Sequence, residues 1–415
     1  MPATTSVTVR TPGLVLVEHE VPVPLDHDRP DGPSIPVFAR EVADPDGLDR
    51  PFLLFLQGGP GNEAPRPTGS PMSPGWLERA LADHRVLMLD QRGTGRSAPV
   101  GDLPGMSPAQ QAEHLTRFRA DSIVRDAEAV REALGVRRWS VLGQSFGGFC
   151  ALTYLSIALE SLDAAYVTGG LPPVGRSPDE VYAATWARHR ELVERHYARC
   201  PSDRERVLAL HRRLSSEPLA LPGGDFLTAR RFRSAGHGLG MSDGSDRLHG
   251  LLELPADSPA FRADAADLMG FARNPLYAVL HEACYADGAT TAWSADRTRP
   301  AAFDEDPSLL FGEHVHPWVL DDVGALAPLR DAALLLADHP WPRLYDPAQL
   351  AVNEVPVAAA VYAEDPYVEA TFSLETARAV RGARVWLTNE HLHNGLRADG
   401  ARILDRLIAM ARGRA

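Results

Sequence analysis

The pentapeptide Gly143-Gln144-Ser145-Phe146-Gly147 joins a branched apolar run, "RRWSVLGQS", to a stretch of small and apolar residues, "FGGFCALTYLS". A serine on so tight a strand-to-helix turn is driven into strained backbone angles, and glycines on either side relieve the clash. The G-x-S-x-G pattern in this context predicts a nucleophile elbow. Its hydroxyl projects above a sheet, near the positive end of the helix that follows. Such a turn requires buried parallel strands beside it, and the rest of the chain can be read against that requirement.

"GLVLVEHEVPVPLDH" and "SIPVFAREVA" read as an antiparallel start. "PFLLFLQGG", "HRVLMLDQRG", "RRWSVLGQS" and "SLDAAYVTGGLPP" are short, nearly continuous apolar runs ending in turn residues, as buried parallel strands require. Helical spacing over "SIVRDAEAVREALGV" ends at Gly135, a suitable C-cap. From about residue 173 the texture changes to Arg, His, Pro and acidic residues with helical stretches such as "EVYAATWARHRELVERHYARC". "VPVAAAVYAED" and "ARVWLTNEHLH" then return to the strand pattern, and "DGARILDRLIAMARG" closes the chain as an amphipathic helix. The order predicts a mostly parallel α/β sheet with an inserted helical cap. The expected divisions are core 1–172, cap 173–340 and core 341–415.

Composition removes several function classes. The net charge of -13 gives a nucleic-acid partner no electrostatic support. No run of about 18 apolar residues predicts a membrane span. "MPATTSVTVRTPG" lacks the pattern of a signal peptide, so a cytoplasmic location is expected. The chain has no lysine, which excludes Schiff-base chemistry, a P-loop and a Ser–Lys dyad. Cys150, Cys200 and Cys284 are too few and too scattered for a disulfide framework or a zinc site by spacing.

A serine nucleophile needs a base, and the base an orienting carboxylate. In this arrangement they follow in the order Ser, acid, His on loops after late strands. "YAEDPYVE" offers Glu364 and Asp365, and Asp365, with the shorter side chain before Pro366, is the expected acid. "NEHLHNGLR" offers His391 and His393. His393, before Asn394-Gly395, is the expected base. The oxyanion donors are expected to be the N–H of Phe146 and one from the loop "LQGGPGNEAP", where Gly58 and Gly59 permit close backbone approach and Gly59 is the expected donor.

Together, Gln57-Gly58-Gly59-Pro60-Gly61, Asp90-Gln91-Arg92-Gly93-Thr94-Gly95-Arg96-Ser97 and Gly143–Gly147 resemble the motifs of the prolyl aminopeptidase (proline iminopeptidase) family of α/β-hydrolases. The late "HNGLR" and "EDPYVE" segments resemble an actinobacterial-type subgroup with a larger cap. Gln57 replaces the family's motif histidine, and Phe146 the tryptophan common after the nucleophile. The resemblance implies an α/β-hydrolase fold with a helical cap, and removal of an N-terminal residue, mostly proline, from peptides or small amides. The partner is then a peptide or amide substrate with a free N-terminus, and no metal or organic cofactor is required. Binding that amine calls for carboxylates on the cap. The family's cap glutamate with an aromatic three residues later is matched by Glu282 and Tyr285. A second carboxylate is expected among Glu191, Glu194 and Asp287; the residues do not choose between them, and Glu194 is the working assignment. The alternative reading is an esterase or amidase of the same fold without a free-amine requirement.

Overall fold

The computed structural model describes residues 5–268 and 270–415. Its main sheet has nine strands: β1 Thr5–Thr11, β2 Leu14–Pro24, β3 Ser34–Ala43, β4 Phe52–Leu56, β5 Arg85–Leu89, β6 Trp139–Gln144, β7 Leu162–Thr168, β8 Val357–Tyr362 and β9 Arg384–Thr388. Their spatial order is β1-β2-β3-β5-β4-β6-β7-β8-β9. The β1–β2, β2–β3 and β3–β5 pairs are antiparallel, and every later pair is parallel. Strand β4 is buried along its whole length. That burial on both faces explains why its sequence shows no alternation.

Both faces of the sheet are covered. Helices α1 (Leu77–Asp83) and α7 (Gly400–Ala411) pack on one side with Trp76, Leu404 and Leu407. On the other side lie α2 (Ala120–Ala133) and α3 (Phe146–Ile157), with Ile123, Val130, Phe149 and Leu152 in the core. The chain leaves the sheet after Thr168 and rejoins it at Val357. In between, α4 (Pro178–Arg199), α5 (Pro201–Ser216) and α6 (Gly244–Glu253) lead a set of short helical turns. A capping box of Ser177 and Glu180 starts α4, and Cys200 with Pro201 separates it from α5. Proline after Cys200 has no N–H to give to the preceding helix, so a single long helix cannot form there. No helix among the described residues is long and apolar enough to cross a membrane.

The Asp-Gln-Arg-Gly segment after β5 is a structural hub. The Arg92 guanidinium is fully buried and uses all five of its N–H donors. Nε donates to Asp126 on α2 at 2.6 Å, and Nη2 reaches the other carboxylate oxygen. The remaining bonds go to the carbonyls of Leu25, Arg117 and Pro24. Loss of one partner would strand a buried charge. Arg92→Met is expected to destabilise the fold by about 3–5 kcal/mol, measured by denaturant unfolding against wild type.

Candidate active site

Ser145 sits between β6 and α3 with φ 55° and ψ −126°, a positive-φ conformation of the strained kind the motif predicts. Its N–H donates to the Thr168 carbonyl at 3.0 Å, and its own carbonyl accepts from Gly148 at 2.7 Å. A Cβ at Gly143 would lie 2.3 Å from the Gly147 carbonyl oxygen, and one at Gly147 would lie 1.9 Å from that of Leu56. Only glycine fits at either place.

His393 lies on the loop after β9. Its Nε2 accepts from the Ser145 hydroxyl at 2.8 Å, and its Nδ1–H donates to Asp365 at 2.7 Å. Asp365 follows β8 and is 1% exposed; its other oxygen accepts the N–H groups of Tyr367 and Val368 at 2.9 and 3.0 Å. Those two bonds aim the carboxylate, and the carboxylate aims the ring. The neighbouring candidates lie elsewhere. Glu364 pairs with Arg195 of α4 at the surface, and His391 lies 3.8 Å from Asp399. The cap touches the histidine loop directly: Gly240 accepts the His393 N–H at 3.0 Å, and Ser242 donates to Asn394 through backbone and hydroxyl, both at 2.8 Å.

Burial pulls the His393 imidazole down, but the adjacent Asp365 carboxylate and the nearby Glu313 outweigh it, so its pKa ends above the ordinary histidine value. Cys150, five residues beyond Ser145 on α3, is fully buried and its thiol is pushed up by that burial, which leaves it inert.

The glycine loop after β4 lies against the serine. A Cβ at Gly58 would stand 3.0 Å from the Ser145 Cβ, and Gly59 holds φ +123°. Gln91 braces this loop by donating to the Gln57 carbonyl at 2.9 Å. Asp90 accepts the N–H groups of Ala64 and Arg96. Phe146 opens α3, so its N–H has no carbonyl partner within the helix.

The cap carboxylates are arranged differently from expectation. Both oxygens of Glu282 are taken by backbone N–H groups, Ser294 at 3.1 Å and Ala295 at 2.8 Å. The crevice beside it is only about 20 Å³, too small for a substrate residue. Glu282 therefore anchors the 294–297 turn. Its partner in the motif, Tyr285, is buried edge-on against Phe149 and Tyr182 and donates to the Tyr367 carbonyl on the Asp365 loop. Glu194 is half-exposed and paired with Arg204 at 2.7 Å on the outer surface of the cap. Glu191 pairs with Arg188, and Asp287 accepts the Leu344 and Tyr345 N–H groups. Each of these carboxylates is engaged by groups of the protein itself.

Glu313, a cap carboxylate that the sequence does not single out, does face a usable space. It borders a cavity of about 650 Å³ whose wall includes Asn62, His237, Asn274, Tyr277 and Trp318. Tyr277 donates to it at 2.6 Å, and the His281 ring lies 3.9 Å away. Burial pushes its pKa up to about 7, against the opposing pull of His393 and the Tyr277 bond. A file of rings connects this cavity with the triad: Tyr277 to His237 at 6.3 Å, His237 to Tyr367 at 5.4 Å, and Tyr367 to His393 at 4.8 Å between centroids. The only signal available in sequence was a glutamate within the histidine-bearing stretch "FGEHVHP", which has no helical or strand period to place it.

Residues 51–209 match the model of the alpha/beta hydrolase fold family. The chain is 46% identical over 416 residues to a proline iminopeptidase of Aeromonas sobria, covering 96% of this chain and 97% of that one. It is 35% identical to a proline iminopeptidase of Aspergillus aculeatus, covering 94% and 92%. A proline iminopeptidase of Neisseria meningitidis matches more narrowly, 32% identical over 32% of this chain and 36% of its own. With the elbow, the glycine loop and near-complete coverage in agreement, the chain belongs to the proline iminopeptidase family, serine aminopeptidases of the α/β-hydrolase fold.

Proposed function

We propose that the protein releases an N-terminal residue, proline foremost, from peptides or small amides with a free amine, using Ser145, His393 and Asp365. The observation that carries this reading is the hydroxyl–imidazole–carboxylate relay together with Glu313, a largely buried carboxylate on a cavity that a file of rings joins to His393. Residues 173–340 form the cap that brings this carboxylate over the sheet.

His393 takes the proton of Ser145 as the hydroxyl attacks the carbonyl of the first residue, and Asp365 stabilises the imidazolium. The N–H groups of Gly59 and Phe146 receive the oxyanion. His393 then protonates the leaving amine, and water hydrolyses the acyl-enzyme. Glu313, rather than Glu282 or Glu194, holds the protonated N-terminus, with Tyr277 fixing its carboxylate. A cation between a buried carboxylate and aromatic rings satisfies both charge and desolvation. An amine blocked by acetylation would leave Glu313 buried without its counter-charge.

Replacing Asp365 with Asn is expected to lower kcat by about 10⁴-fold through loss of the correct imidazole tautomer, with little change in thermal unfolding. Glu313→Gln is expected to raise KM for proline amides about 10- to 100-fold, the worth of a charge-assisted hydrogen bond, and to spare a simple ester. Equal losses on both, or equal cleavage of free and N-acetylated proline amides, would favour the esterase or amidase reading. The pH profile separates the two groups. The acid limb set by His393 lies above the ordinary 6.5 on every substrate, because its base form is required and its pKa is raised. Below about pH 7 Glu313 also takes a proton and stops attracting the amine. KM should therefore climb on acidification for free-amine substrates alone, and this extra climb should vanish in Glu313→Gln.

A further inference from the structure

At the junction of α4 and α5, three side chains of different chemistry converge. His196 lies in the last turn of α4, Cys200 at the break, and Asp203 in the first turn of α5. A ring nitrogen, the sulfur and a carboxylate oxygen all lie within 4.8 Å of one another. The spacing explains the convergence. Positions 196 and 200 share a helix face across one turn, and the break at Pro201 swings the start of α5 back so that Asp203 meets them. A fourth group arrives from α6: His249 Nδ1 lies 2.8 Å from the Asp203 Oδ2.

Burial makes this cluster unusual. The side chains of His196 and Asp203 are 1% and 0% exposed. His196 Nδ1 is held by the Ser245 hydroxyl at 2.8 Å, which fixes the ring. Its Nε2 points at Asp203 Oδ2 from 3.2 Å, yet makes no hydrogen bond of acceptable alignment. A fully buried imidazole nitrogen without a well-aligned hydrogen bond, beside a carboxylate and in one cluster with a thiol, is costly unless another partner engages it. Arg206 engages the opposite oxygen, Oδ1, at 3.1 Å and leaves Oδ2 to the cluster. Cys200 is a free, half-buried thiol.

We propose that His196 Nε2, Cys200 Sγ, Asp203 Oδ2 and His249 Nδ1 form a structural binding site for a divalent transition metal of the zinc class. One thiolate and one carboxylate neutralise a doubly charged ion, and two imidazoles complete a tetrahedral set. The thiolate and imidazoles select against magnesium and calcium, which take oxygen ligands. Tetrahedral zinc with these donors needs ligand-to-ligand separations of about 3.5 Å; the atoms of His196, Cys200 and Asp203 lie within 4.8 Å of one another, and His249 completes the set by turning from Asp203 toward the ion. Binding releases the thiol proton to solvent. The Ser245 hydroxyl supplies the outer hydrogen bond that metal-bound histidines commonly make. A site of one cysteine and mixed partners lies beyond what cysteine spacing can reveal in a sequence.

The ion would pin α4, α5 and α6 together. Arg195, beside His196, reaches Glu364 next to Asp365, and the segment just before α6 supplies Gly240 and Ser242, which hold the His393 loop. Metal occupancy therefore stiffens the part of the cap that contacts the triad without entering the chemistry.

The test treats the full-length protein with a chelator and then titrates it with zinc ion. One equivalent should bind and raise Tm, and Cys200→Ser and His196→Gln should each weaken binding at least tenfold while Ser145→Ala binds as wild type. Cobalt(II) in the wild-type protein should give a thiolate-to-metal charge-transfer band, a readout that stands even if a variant fails to fold. No stoichiometric zinc uptake, wild-type affinity in Cys200→Ser, or cobalt binding without the thiolate band would each overturn the site.

Discussion

The approach of bare backbone around Ser145 is the constraint on which the rest of the site depends. A Cβ at Gly143, Gly147, Gly148 or Gly170 would meet a carbonyl oxygen at 2.3, 1.9, 2.3 and 2.3 Å respectively. Four positions on three separate segments are thereby closed to side chains. Crowding of this kind lets a non-glycine residue persist at positive φ, a state that costs of order 1–3 kcal/mol. Main chain packed this closely on both sides of the turn, with the Ser145 N–H held by Thr168 and its carbonyl by Gly148, keeps the serine in that conformation. The hydroxyl is thus aimed before substrate arrives, and the imidazole finds it at hydrogen-bonding distance.

A second constraint comes from the chain's basic residues, all arginine. Their forks are used as internal brackets. Arg92 ties the loop after β5 to α2 and the N-terminal hairpin, and Arg119 joins core to cap by donating to the carbonyls of Ala286 and Pro342. The planar guanidinium serves several fixed acceptors at once, which a lysine ammonium on its flexible stem cannot do in the same geometry. The braces behind the catalytic loops therefore consist of charge-assisted bonds at defined angles.

The core was legible because its signals are local. Buried strands appeared as apolar runs and the elbow as flanking glycines, and of the residues just past the late strands Asp365 and His393 come together beside Ser145 while Glu364 and His391 pair elsewhere. Strand β1 went unread because all its residues are exposed and leave no burial pattern. The surroundings of the cap carboxylates were illegible for a different reason. Glu282 and Tyr285 have the spacing of an amine grip, but spacing does not show that Ser294 and Ala295 fold back to claim the carboxylate. Glu313 lies in irregular chain, 168 positions beyond Ser145, and only tertiary packing of Tyr277 against it reveals its surroundings.

The bonds from Gly240 and Ser242 to the histidine loop carry a mechanical consequence. A roof that swung wide to admit a bulky guest would drag the imidazole out of line with its hydroxyl. Admission and reactivity are therefore mechanically coupled through those three bonds.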